Sequence, residues 1–202
     1  MSDKKILIAV PTFESIEADC FKSIYDLIVP KGVEPSFGYV KGYDCARARN
    51  NITRQAVDLG YDYVLMVDSD IVLPKKSLEM LYGADKDIIM GWYPKKRDMG
   101  GKTELFALSP HIDFDDSCNI NMMQMSTNEV MEIKGGGLGC ALIKTDVFRK
   151  LGSSLWFQYI EYPNGGLLSE DLFFCHNART QHGYKIFAHT GVRCGHVCKI
   201  VQ

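Results

Sequence analysis

The chain has 202 residues, 46% hydrophobic and 24% charged, enough for one domain with a sizeable buried core and unlike a disordered or fibrous composition. Its 23 Lys plus Arg against 25 Asp plus Glu give a formal charge of -2, which excludes a global basic field and leaves any polyanion to a local patch. The longest wholly apolar runs, ILIAV at 6–10 and YVLMV at 63–67, fall far short of the ~18 residues of a membrane-spanning helix.

Pro11 ends the first run too early for a signal-peptide core, so the expectation is a soluble, cytoplasmic protein. Seven cysteines (Cys20, Cys45, Cys118, Cys140, Cys175, Cys194, Cys198) are scattered through the chain. An odd number in a chain with its own core reads as reduced thiols, not a disulfide framework.

Short apolar runs alternate with helical stretches, the pattern of an α/β domain with a mostly parallel, mixed central sheet flanked by helices. The first strand is predicted over 6–10, and Ile16, Cys20, Ile24 and Leu27 give 15–28 helical spacing. After a strand at 35–40, Asp44 is a good N-cap for a helix over 45–59, with Ile52, Ala56 and Leu59 as its buried stripe and Gly60 as its stop. Residues 63–67 fit a strand covered on both faces. Pro74 opens a short helix with Leu78 and Leu81 inward, and 88–90 is a strand followed by the basic cluster Lys95, Lys96 and Arg97. Periodicity is poor over 100–128, which holds Asp113, Asp115, Asp116, Met122 and Met123 and reads as a long excursion or lid. Strands at 130–134 and 140–143 flank three glycines, and Thr145 caps a helix that ends at Gly152. A strand is predicted over 156–162, a turn at Asn164, Gly165 and Gly166, a helix from Ser169 to the stop at Gly183, and a last strand over 184–188. No repeat or low-complexity tract interrupts this, so a single domain spans 1–202.

The most informative feature is Asp68-Ser69-Asp70 at the carboxyl end of a fully apolar strand, where open α/β sheets place their ligand crevices. If the backbone stays extended, both carboxylates point the same way and repel unless a cation lies between or beyond them. Mg²⁺ or Mn²⁺ suits such oxygens and completes its shell with phosphates; a plain polar turn is the bland alternative. Arg47, Arg49, Asn50 and Asn51 occupy the first turns of a helix, where N–H groups and guanidinium forks suit anionic or carbonyl ligands. Gly135, Gly136 and Gly137 allow a ligand to approach the backbone closely. Glu170 and Asp171 at a helix start complement the macrodipole with or without a catalytic duty. Trp156, Tyr159 and Tyr162 suit either stacking on a ligand or core packing. Cys194, His196 and Cys198, with Cys175 or His176 as a fourth ligand, offer a zinc alternative, although their spacing is tighter than that of usual structural sites.

The stretch YDYVLMVDSDIVLP resembles the strand and D-x-D motif of GT-A fold glycosyltransferases of the family 2 type, and AVPTF, ARARNNI and SEDLFFCHNA occur in the matching order. The resemblance runs from Ile6 to about Val197. It implies a Rossmann-like GT-A domain with a nucleotide-binding half over 1–95 and an acceptor-binding, catalytic half over 96–202. The donor would be a nucleoside-diphosphate sugar of the UDP-sugar kind, the metal Mn²⁺ or Mg²⁺, and the chemistry an inverting single displacement. By the same resemblance Pro11 and Thr12 line the nucleotide, Glu14 lies beside the base, and Arg49 and Asn50 lie near it. Asp68, with Ser69 in the same loop, contacts the ribose or the metal shell, while Asp70 and His196 bind the metal directly. Lys95 and its basic neighbours offset diphosphate charge, and Gly136 and Gly137 floor the sugar pocket. Asp171 is the general base and Glu170 orients sugar or acceptor hydroxyls. The acceptor stays open among glycan, small molecule, protein and modified DNA base. The alternatives are a nucleotidyltransferase, disfavoured because AVPTFESIEAD lacks a glycine, and a non-catalytic zinc-binding or glycan-binding module.

Overall fold

Strand β1 (Lys4–Thr12) is buried from its third residue onward, and its side chains alternate between two separate cores. Leu7 and Ala9 enter one core, while Ile6, Ile8 and Val10 enter the other, as the two-residue period of a strand covered on both faces requires. The computed structural model describes residues 3–94, 108–109, 129–152, 155–163 and 165–197. The cluster Lys95, Lys96 and Arg97, the 100–128 excursion apart from 108–109, Asn164 and Cys198 lie outside the described residues.

After β1 come α1 (Ala18–Tyr25), β2 (Val33–Lys41), α2 (Cys45–Asp58), β3 (Tyr63–Val67), β4 (Ile71–Val72), α3 (Ser77–Gly83) and β5 (Ile88–Trp92). The chain continues through β6 (Leu108–Ser109), β7 (Val130–Ile133), β8 (Gly135–Gly136), β9 (Cys140–Lys144) and α4 (Thr145–Leu151). It closes with β10 (Ile160–Glu161), β11 (Leu167–Leu168), α5 (Glu170–His182), β12 (Ile186–Arg193) and β13 (Gly195–His196).

Seven strands form the central sheet in the order β2-β1-β3-β9-β5-β12-β7. β9 runs antiparallel to both neighbours and β7 antiparallel to β12, while the other five share one direction, so the mostly parallel mixed sheet expected from the sequence is present. Helices α2, α4 and α5 cover one face and α1 and α3 the other. Asp44 accepts the Arg47 backbone N–H at 2.9 Å, a cap that contributes about 1 kcal/mol.

Three local expectations give way to tertiary packing. The predicted strand over 156–162 survives only at Ile160–Glu161: Trp156 and Phe157 precede it as core plugs, and the Trp156 indole N–H donates to the Phe148 carbonyl at 3.0 Å. Leu59 is the C-cap of α2 and is 69% exposed, so the apolar stripe ends at Ala56. Thr145 is the first residue of α4 and not its cap; its hydroxyl donates to the Tyr61 carbonyl at 2.5 Å. Among the described residues no helix is long and apolar enough to cross a membrane, and the five described cysteines are all free thiols.

Candidate active site

The carboxyl ends of the parallel neighbours β1 and β3, with the N-terminus of α2 beside them, enclose a cleft of about 290 Å³ lined by residues 11–13, 43–45 and 68–70. This is the position that the strand order favours for a ligand. Pro11, Thr12, Asp68, Ser69 and Asp70 therefore share one cavity wall, with Phe13 and Tyr43 as exposed aromatic flanks. Glu14 is exposed and lies outside this lining.

Asp68-Ser69-Asp70 is a turn, because the Ile71 N–H donates back to the Asp68 carbonyl at 3.0 Å, so the extended geometry that would point both carboxylates the same way does not hold. Three more of its backbone groups are also held. The Glu17 N–H donates to the Ser69 carbonyl at 2.9 Å, the Val197 N–H to the Asp70 carbonyl at 2.8 Å, and the Asp68 N–H to the Gly139 carbonyl at 3.1 Å. The Cys20 thiol adds a bond to the Asp68 carbonyl at 3.3 Å, and burial pushes that thiol up to about 12. A loop with this many internal partners is preorganised, so its carboxylates are aimed before a ligand arrives.

The turn sends its two carboxylates to different partners. Asp70 Oδ2 lies 3.5 Å from His196 Nε2, brought there because β13 pairs antiparallel with β4, placing His196 opposite Ile71. The other ring nitrogen, Nδ1, is 2.7 Å from the Pro94 carbonyl, which orients the imidazole with Nε2 toward Asp70. Tyr93 packs edge-on against that ring at 5.4 Å. A carboxylate oxygen and an imidazole nitrogen side by side suit Mn²⁺ or a similar divalent ion. No group of three or more His, Cys, Asp and Glu that could hold a metal forms among the described residues. Cys194 is buried next to the free thiol of Cys140, and the Cys175 thiol faces the Gly136 carbonyl at 3.8 Å; these two thiols of the zinc alternative lie in the core, and the third, Cys198, lies outside the described residues.

Asp68 turns inward instead. Its Oδ1 is 2.6 Å from Nη2 of Arg49, whose Nη1 pairs with Oε1 of Glu170. Arg49 is 2% exposed and Glu170 6%. Burial raises the Glu170 carboxyl above its usual range, opposed chiefly by the Arg49 charge. Burial first, and then the nearby Glu170 charge, push the Tyr159 phenol up. Next to Arg49, the Asn50 amide donates to the Phe157 carbonyl at 2.8 Å and accepts the Phe157 N–H at 3.2 Å. The two side chains that the resemblance put near a nucleotide base are thus engaged inside the protein.

Gly139 sits where these groups converge. Its N–H donates to the Tyr93 hydroxyl at 3.0 Å, and a Cβ at this position would meet Tyr93 Oη at 2.7 Å and Asp68 Oδ2 at 2.8 Å. Burial first, then the charges of Asp68 and Asp171, push the Tyr93 phenol well above its usual range. Gly139→Ala is expected to displace Asp68 and cost about 1–3 kcal/mol of stability through overpacking, read by thermal unfolding; an unchanged melting curve would show that the site yields without strain.

Glu170 and Asp171 open α5. Ser169 precedes the helix without a side-chain cap bond, because its hydroxyl donates to Asp171 Oδ1, the atom that also accepts the Leu172 N–H at 2.8 Å. Both in-chain hydrogen bonds fall on Oδ1 and fix the carboxylate while Oδ2 carries neither. Of the glycines, 135 and 136 form β8, which pairs with β6, and Gly137 is half-buried. Lys95 lies outside the described residues.

A solved structure of GalNAc-T7 with UDP, GalNAc and Mn²⁺ matches 96% of this chain with a TM-score of 0.64 at 11% identity. In fold, the chain is similar to a GT-A glycosyltransferase. It spans 44% of that GT-A protein's length. A second match, the crystal structure of A197 from STIV, has a TM-score of 0.62 at 17% identity, covering 96% of this chain and 86% of that one. No family model and no curated protein sequence matches the chain.

Tyr93, Gly139 and the Tyr159–Glu170 contact escaped the sequence reading as site features. One signal was available for Arg49: with Ile52 and Ala56 it lies on the apolar stripe of α2, and a charged residue on such a stripe needs a buried partner.

Proposed function

We propose that the protein is a metal-dependent glycosyltransferase that moves a sugar from a nucleoside diphosphate, of the UDP kind, to an acceptor hydroxyl. The observation that carries this reading is the pairing of Asp70 with His196 at the rim of the cleft. Asp68, Glu170 and Asp171 gather three carboxylates around the buried cation Arg49, an excess of negative charge that favours a bound metal. Asp70 and His196 would hold Mn²⁺ or Mg²⁺, with diphosphate oxygens and water completing the shell. When bound, the ion offsets the negative charge of the leaving diphosphate, a contribution of several kcal/mol.

Pro11, Thr12 and Ser69 line the nucleotide side of the cleft between Phe13 and Tyr43. Asp171 takes the proton of the acceptor hydroxyl on Oδ2 as that oxygen bonds to the anomeric carbon and the bond to the diphosphate breaks. Inversion follows from one displacement. GalNAc-T7, similar in fold, was solved with UDP and Mn²⁺, which supports the choice of donor and metal. The test is release of free nucleoside diphosphate from UDP-, GDP- and dTDP-sugars, with Mn²⁺ or with EDTA. Mn²⁺-dependent release of UDP is expected, and the absence of both release and metal-dependent nucleotide binding would refute the reading.

A further inference from the structure

We propose that Arg49 and Asn50 are positioning residues, a brace inside the protein that fixes the donor loop, the start of α5 and the 155–159 segment relative to one another, and that neither contacts the nucleotide. The kinetic part rests on the glycosyltransferase reading; the mechanical part does not.

A guanidinium that reads a nucleobase needs an N–H facing the cleft. In Arg49, Nη1 and Nη2 are both taken by carboxylates, and Nε is buried without a hydrogen-bond partner. The side chain is 2% exposed and contributes nothing to the cleft wall. Both ends of the Asn50 amide are engaged by the Phe157 backbone. These two neighbours in α2 therefore reach three segments that meet nowhere else in sequence: the 68–71 turn through Asp68, α5 through Glu170, and the loop before β10 through Phe157. Tyr159, in that last segment, lies close enough to Glu170 for the carboxylate to push its phenol up. The Glu170 carboxylate is directed at Arg49, so it orients Arg49 in place of substrate hydroxyls.

Only an arginine makes this junction. Its planar fork presents two N–H edges to two carboxylates at once, whereas a lysine ammonium reaches one. Removing one partner leaves a buried charge uncompensated, and the loop that shared it loses its fixed position.

Hydrogen exchange on the full chain tests the mechanical part without any ligand. Glu170→Ala is expected to speed exchange of the 68–71 amides by about tenfold or more, although Glu170 hydrogen-bonds to none of them. Glu170→Gln keeps an acceptor for Arg49 and is expected to stay within about threefold of wild type. Unchanged exchange at 68–71 in Glu170→Ala would overturn the brace. In Arg49→Lys, UDP affinity measured with Mn²⁺ is expected to hold within about threefold while turnover falls at least about 30-fold. Loss of UDP binding with turnover of the bound donor preserved would restore Arg49 as a nucleotide contact. If the wild type neither binds nor releases UDP, the glycosyltransferase reading falls, and exchange alone decides the brace.

Discussion

Asp171→Asn is expected to keep Mn²⁺-dependent UDP binding and lose about 10²- to 10⁴-fold in turnover, the range for removal of a positioned general base. The substitution preserves shape: an amide oxygen still accepts from the Ser169 hydroxyl and the Leu172 N–H, as Oδ1 does now. Only the ability to take a proton is lost, so kcat and binding separate cleanly. Comparing donor turnover with UDP affinity in the same preparation checks this, and a variant with normal kcat would remove Asp171 from the chemistry.

Asp70→Asn has the opposite profile. The carboxylate beside His196 becomes neutral, and a hard divalent ion loses its charged protein ligand. Metal-dependent UDP affinity is expected to fall by about 100-fold or more, roughly 2.7 kcal/mol, as titration calorimetry with and without Mn²⁺ would record. EDTA should reproduce the effect in the wild type and add nothing in the variant. Asp68→Asn is no substitute for this test, because Asp68 shares the buried Arg49 with Glu170 and its loss disturbs the brace as well as the cleft. Retention of full metal dependence by Asp70→Asn would leave the Asp70–His196 pair without a role in donor binding.

Much of the fold was legible because burial on both faces leaves an unmistakable trace. The runs at 6–10, 63–67 and 88–90 each sit inside an observed strand, and Asp44, Gly152 and Gly183 mark helix ends where expected. The misreading at 156–162 has a clear cause: large apolar residues at alternate positions look like a strand, yet Trp156 and Phe157 serve as plugs from a loop whose backbone is satisfied by Asn50. The cleft around Asp68 and Asp70 could be anticipated from the end of β3. The divergence of the two carboxylates could not, since it follows from a bond between Ile71 and Asp68 and from an arginine and a histidine far away in sequence. Local pattern identifies where a site opens; the partners that aim its side chains are set by long-range contacts.

The closure of β13 onto β4 has a bearing on the timing of assembly. His196 reaches Asp70 through a two-residue ladder made much later in the sequence, and the Val197 N–H then locks the Asp70 carbonyl. During synthesis the turn that holds Asp70 leaves the ribosome long before its histidine, in a process that folds chains from the N-terminal side. A nascent polypeptide that stops short of β13 therefore carries the acidic half of the pair alone, and the pair comes into being only once His196 has been added.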